Sequence, residues 1–227
     1  MGCSEIAHYL YHQLGIEELR GRLIKYTRAT FQLLPFLQHP RILDIGCGTG
    51  SSTLALANLS LGELVGIDID QQAINLLQEK VKQQDLAARV QVIHNSLEKL
   101  SFPPESFDII WEEGVIHLLD LRQVLAIIQR LLKTRGFFVI HETKAWLEQH
   151  RDQFVNTGFY FWGHLLLPEK VWWTEYYAVL EKRIDNLLRT QDTSIDHLMM
   201  QKYVDEIELV KQEPYKFDCG FYILRRR

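Results

Sequence analysis

From Arg41 to His141, short apolar runs alternate with amphipathic segments, a rhythm that commits the chain to a layered α/β fold. The apolar runs are Ile42 to Ile45, Glu63 to Asp68, Arg89 to His94, Phe107 to Glu112 and Gly136 to His141. Helical patterns fill the gaps: Ser52 to Leu59, Gln71 to Gln83 behind the N-cap Asp70, and Leu121 to Leu132 behind the N-cap Asp120. Ile74, Leu77 and Val81 share one helix face, as do Val124, Leu125, Ile128 and Leu131. Apolar strands separated by such helices predict a parallel sheet covered on both faces. Ligands of these sheets bind at the carboxyl ends of the strands, where Asp44, Asp68, Ser96 and Glu112 fall.

The first strand runs into a glycine loop, "RILDIGCGTG". A dinucleotide fingerprint is G-x-G-x-x-G, with the third glycine packing helix on strand. Ser51 stands at that third place, and the pattern present is Gly46, Gly48, Gly50. Asp68 ends the second strand, where either kind of cofactor uses an acid on its ribose hydroxyls, so it does not discriminate. Asp44 does, because a pyrophosphate beside a carboxylate in a partly desolvated crevice suffers like-charge repulsion. S-adenosylmethionine has a ribose and positive charge but no phosphate. Asp44 is expected to attract its ammonium, directly or through water, while the glycines let the backbone approach its aminoacyl group.

The rest of the chain narrows the class. Of the 227 residues, 47% are hydrophobic and 24% charged, which reads as globular. A net charge of -4 argues against a protein that binds nucleic-acid backbones, and the terminal "LRRR" reads as a solvated tail. Cys3, Cys47 and Cys219 form no CxxC pair, which supports neither a disulfide framework nor structural zinc and fits a reducing cytoplasm. No apolar run approaches the ~18 residues of a membrane span. "MGCSEI" has Ile6 where N-myristoylation wants Ser or Thr, so acylation at Gly2 and Cys3 is discounted. Residues 5 to 34 predict one or two helices. After Glu142 follow a helix over 144 to 156, a strand in "GFYFWGHLLLP", helices over about 170 to 188 and 195 to 211, and a last strand from Phe217 to Arg226. The whole reads as one domain: N-terminal helices over 1–40, a cofactor-binding core over 41–142, and a C-terminal half over 143–227.

"RILDIGCGTG", "LVGIDID", "FDIIWEEG" and "LLKTRGFFVIHE" resemble the class I S-adenosylmethionine-dependent methyltransferases, and "HNSLEKLSFPPESFDIIWEEG" resembles their small-molecule branch. The resemblance implies a Rossmann-like, seven-stranded, mostly parallel sheet of order 3-2-1-4-5-7-6 with strand seven antiparallel. It implies that Gly46, Cys47 and Gly48 hold the methionine end, Asp68 the ribose, and that Ile69 packs on adenine. Many relatives have Asp where this chain has Ser96, whose hydroxyl still accepts a bond from the adenine amine. Leu97 is expected to help through its backbone N–H.

Methyl transfer from a sulfonium is an in-line displacement, so the protein mainly orients and desolvates, and a base is needed only when the nucleophile arrives protonated. Glu112 and Glu113, which end the fourth strand, are the first candidates to hold an amine or deprotonate a hydroxyl, Glu112 also counting toward the cofactor site. His117 is a third candidate. "HETKA" at His141 starts like a zinc-protease motif, but Ala145 replaces the second His, so no metal is predicted. Trp173, Tyr177, Leu180, Ile184 and Leu187 form one helical stripe and Trp172, Tyr176 and Val179 a second. The second stripe predicts a lid over about 170 to 211 whose Trp172 and Tyr176 wall the acceptor, or a homodimer contact. The fourth strand lacks an N-P-P-Y type motif, which favours a small-molecule acceptor over nucleic acid. The alternatives are a protein that holds the cofactor without turnover and a nicotinamide-dependent oxidoreductase.

Overall fold

A computed structural model describes residues 9–189 and 197–227. The chain divides into two compact units, one of Ile24–Leu166 with Cys219–Arg227, and a smaller one of Met1–Leu23 with Leu167–Asp218. Gly2, Cys3 and the expected helix start at 195 lie outside the described residues.

The larger unit holds the sheet. Its strands are β1 (Arg41–Ile45), β2 (Glu63–Asp68), β3 (Val90–His94), β4 (Phe107–Glu113), β5 (Leu132–Thr143), β6 (Phe159–Leu166) and β7 (Cys219–Arg226). They lie in the order β3-β2-β1-β4-β5-β7-β6. β1 to β5 are parallel, and β7 runs antiparallel between β5 and β6. The helices are α1 (Ile24–Leu33), α2 (Ser51–Leu59), α3 (Gln71–Gln83), α4 (Leu121–Leu131) and α5 (Lys144–Asn156). Asp70 and Asp120 cap α3 and α4 as their positions predict, each accepting from two backbone N–H groups of the first turn.

Side chains alternate across each strand, so the sheet needs a core on each face. On one face Leu43, Ile45, Val65, Ile67, Ile110, Phe138 and Ile140 pack against Val124, Leu125, Ile128 and Leu131 of α4 and Leu147 and Phe154 of α5. Each such fully buried side chain contributes on the order of 2 kcal/mol before entropy is counted. On the other face α1 brings Phe31 to Trp111, 6.3 Å between ring centres, and Trp111 meets Phe221 of β7 at 5.9 Å. The largest shift of a boundary from the sequence reading is at the start of β5. α4 stops at Leu131, and β5 starts at once with Leu132, which pairs with Phe107. The left-handed backbone of Arg135 (φ 64°) turns the strand before Gly136.

In the smaller unit, the N-terminal residues Leu10, Leu14, Ile16 and Leu19 share a core with Tyr176, Tyr177, Leu180, Ile184, Met200, Ile207 and Val210. Trp172–Tyr177 winds as a π-helix before the helix Ala178–Arg189. Its wider turn places the adjacent Tyr176 and Tyr177 both inward, where α-helical spacing had assigned them to separate stripes.

Candidate functional site

At the carboxyl end of β1 the chain enters the loop with Gly46, Gly48 and Gly50 all at positive φ. They do different work. A Cβ on Gly50 would lie 2.1 Å from Leu77 of α3, so Gly50 permits the close packing that the missing third glycine of a dinucleotide loop would serve. A Cβ on Gly48, at φ 50°, would meet nothing within 4 Å. Here the backbone lies bare toward open space, as close approach of a ligand requires. Gly114, at the end of β4, has φ 79° and is equally open; no sequence pattern had marked it.

Asp68 joins this loop to the end of β2. Its Oδ2 accepts the Gly48 N–H at 2.8 Å and its Oδ1 accepts the Asp70 N–H at 2.9 Å. A carboxylate has roughly four lone-pair sites, so acceptor capacity remains for hydroxyls. The next residue, Ile69, is 74% exposed, an apolar side chain standing beside this acid without an apolar cover. Ser96 is partly buried, and its N–H donates to Asn95 Oδ1 at 2.9 Å. Leu97 spends its side chain in the core, which leaves only its backbone for a ligand.

Asp44 and Cys47 are both buried. Asp44 is 1% exposed, and its Oδ2 accepts from Ser52 Oγ (2.9 Å) and Thr53 Oγ1 (2.6 Å). Burial raises its pKa to about 6 against the pull of these hydroxyls. Its Oδ2 therefore latches β1 to the first turn of α2. The Cys47 side chain packs against Gly66 of β2, where burial pushes its thiol well above the usual range. The Cys47 N–H donates to the Ile67 carbonyl at 2.9 Å.

The two glutamates ending β4 separate. Glu112, beside Ile45 in register, is 1% exposed. Its Oε1 accepts the N–H groups of Val115 and Ile116, the latter at 2.9 Å, while Oε2 has no partner among the described residues. Burial raises its pKa to about 8. Glu112 is a cap buried beneath the turn Ile116–Leu118, which corrects its expected contact with an acceptor. Glu113 is only partly buried. Its Oε1 accepts from Thr27 Oγ1 of α1 (2.8 Å) and from the Trp111 indole N–H (2.7 Å), and burial raises its pKa to about 7. Thr27 was invisible as a partner, since 86 residues separate the two.

His117 lies on the loop after β4 with its side chain 41% exposed. Its Nδ1 is 2.6 Å from Oε1 of Glu142, a residue at the end of β5 that sequence reasoning passed over inside "HETKA". No group of three or more His, Cys, Asp or Glu among the described residues could hold a metal ion. Trp172 and Tyr176, expected to wall the acceptor, lie in the smaller unit with their rings 5.5 Å apart, Tyr176 buried in its core and Trp172 packed against that core but only partly buried.

Sheet order and loop geometry define a Rossmann-like methyltransferase fold, with the glycine loop and the ribose acid at adjacent strand ends. Residues 43–140 match the methyltransferase domain family. That stretch lies within the larger unit and is similar to the methyltransferase domains of class I, S-adenosylmethionine-dependent enzymes. Over 121 residues the chain is 33% identical to a demethylmenaquinone methyltransferase of Lactiplantibacillus plantarum, covering 52% of this chain and 51% of that one. The matched stretches span less than two thirds of the length of these curated relatives. Among solved structures, a candidate sarcosine dimethylglycine methyltransferase from Galdieria sulphuraria superposes with a TM-score of 0.75 over 98% of both chains at 16% identity. A Haemonchus contortus phosphoethanolamine N-methyltransferase, in complex with phosphomonomethylethanolamine and S-adenosylhomocysteine, does so with a TM-score of 0.66 over 87% of this chain and 51% of that chain at 18% identity. At these identities the likeness establishes the fold.

Proposed function

We propose that the protein is an S-adenosylmethionine-dependent methyltransferase acting on a small-molecule acceptor. The observation that carries this reading is the pairing of Gly48 with Asp68: a bare, left-handed glycine whose N–H is fixed by the acid that ends β2. The residues fit the cofactor on the structure's own terms, with open space at Gly48, spare acceptors on Asp68 and the uncovered Ile69. Gly48 admits the aminoacyl end, Asp68 accepts from the ribose hydroxyls, Ile69 covers the base, and Ser96 with the Leu97 N–H meets its edge. When bound, the cofactor supplies an activated methyl on a positively charged sulfur. Asp44, its Oδ2 held by Ser52 and Thr53, attracts that end of the cofactor with its remaining oxygen, directly or through water. Glu113 has one oxygen pinned by Thr27 and Trp111, which orients the carboxyl toward an acceptor's N–H or O–H. The acidic balance of the chain supports a small molecule over nucleic acid. Calorimetry with S-adenosylhomocysteine and with NAD tests the reading. Heat of binding for the first and none for the second is expected, and the reverse would end it in favour of an oxidoreductase.

A further inference from the structure

At the amino ends of the parallel strands, opposite the glycine loop, two apolar loops stand side by side. Residues 34–40 lead from α1 into β1, and residues 60–62 lead from α2 into β2. His39 Nδ1 donates to the Leu61 carbonyl at 3.2 Å, which ties the two loops together. Between them lies a groove of about 360 Å³ lined by Phe31, Leu34, Leu59 and Ile109 among others, and no side chain lining it is charged. Phe36 (88% exposed) and Leu61 (70% exposed) also line it, and Leu33 at the end of α1 is half-exposed. Single exposed leucines are ordinary, but apolar side chains gathered round an uncharged groove mark a contact surface.

The charge beside the groove says what covers it. Ile109 pairs with Phe137 of β5, and Phe137 pairs with Arg225 of β7, so Arg225 stands two strands from the groove, about 10 Å away. Its guanidinium lies over the Phe137 ring at 5.2 Å, on the sheet face that Ile109 shares. Arg135 turns the start of β5, its carbonyl accepting from Arg225 Nε at 3.1 Å, and the exposed Arg227 follows β7. This basic run belongs to the sheet, with Leu224 fully buried, where the sequence predicts a solvated tail. The acids at the starts of β2 and β4 are already matched: Glu63 by Arg41 (3.5 Å), Asp108 by Lys133 (2.9 Å) and Glu105 by Arg226 (3.1 Å). Arg135, Arg225 and Arg227 have no acid partner among the described residues. An apolar rim beside unmatched arginines suits a partner that is oily within and anionic at its face, which is a bilayer. A nucleic-acid backbone would use the arginines but not Phe36 and Leu61.

We propose that this end of the larger unit docks on the surface of a bilayer containing anionic lipids. Phe36 and Leu61 dip among the acyl chains, and Arg135, Arg225 and Arg227 lie at the headgroups. The contact leaves the glycine loop free at the opposite strand ends, so it stands apart from the methyltransferase reading.

Flotation of the intact protein with vesicles tests the proposal. Vesicles of phosphatidylcholine alone should leave it in solution. Vesicles of phosphatidylcholine and phosphatidylglycerol in equal parts should carry it upward, and less so at raised salt. Arg135→Gln combined with Arg227→Gln should weaken partition to the mixed vesicles ~10-fold or more. Phe36→Asp or Leu61→Asp should abolish it. These side chains are exposed, so each variant should keep the parent's melting temperature and circular dichroism. A parent that stays in solution with the mixed vesicles, or that floats equally with both kinds, overturns the proposal. So does flotation that Phe36→Asp and Leu61→Asp leave unchanged. Light scattering and duplex DNA cover the other occupants. A dimer that Phe36→Asp dissolves would show that a second copy fills the groove. Binding to DNA that the arginine variant loses and Phe36→Asp keeps would assign the basic run to nucleic acid, and either result ends the bilayer reading.

Discussion

Asp68 carries two duties, since the carboxylate that should receive the ribose also holds the Gly48 N–H and so shapes the loop. Asp68→Ala removes both, and affinity for S-adenosylhomocysteine should fall ~10-fold or more by calorimetry. Unchanged affinity would sink the site assignment. The glycines give a sharper contrast. Gly48→Val adds a β-branched side chain to open space at positive φ, so the protein should stay folded, with a modest loss of stability, and cease to bind. Gly50→Ala drives a Cβ into Leu77 and should lower the melting temperature more than Gly48→Val does. If Gly48→Val binds normally, the bare backbone there has no ligand. That the loop and Asp68 form one candidate site was legible in their spacing. That Ser52 and Thr53 hold Asp44 was not, because their hydroxyls look in sequence like ordinary starts of a helix.

At the scale of elements, sheet order and most boundaries could be read because apolar runs and caps are local signals. Pairs made by topology could not be read: Thr27 with Glu113, and His117 with Glu142. The winding of the aromatic segment could not be read for a different reason. Stripe counting assumes 3.6 residues per turn, and Trp172–Tyr177 departs from it. The latch between β1 and α2 invites its own measurement. Thr53 is fully buried and donates its hydroxyl at 2.6 Å to Asp44. Thr53→Val keeps the shape and leaves a buried carboxyl short of a donor, which should cost on the order of 1–3 kcal/mol in denaturant unfolding. A neutral result would mean that the latch does not hold α2.

For the whole molecule, the buried acids set how stability responds to pH. Asp44, Glu113 and Glu112 keep their protons in the folded state up to about 6, 7 and 8, because burial disfavours their charged forms. Unfolded, they release them near the ordinary carboxylate values of 3.8 and 4.5. The folded chain therefore holds more protons across this window, so their contribution is complete below about pH 4 and is lost as pH rises toward 8. The melting temperature should decline between pH 5 and pH 8.5. Glu112→Gln, which cannot ionise, should flatten that decline, and a variant with the parent's slope would show that Glu112 is charged in the fold.

The placement of β7 bears on how the protein is made. β7 lies between β5 and β6, yet it is synthesised after both, with the segment Leu167–Asp218 emerging before it. On a translating ribosome, β6 has no neighbour to pair with until Cys219–Arg226 has left the exit tunnel. β5 meanwhile presents an open apolar edge that other nascent chains could join. The sheet thus closes from its interior, and only after Leu167–Asp218 has been made.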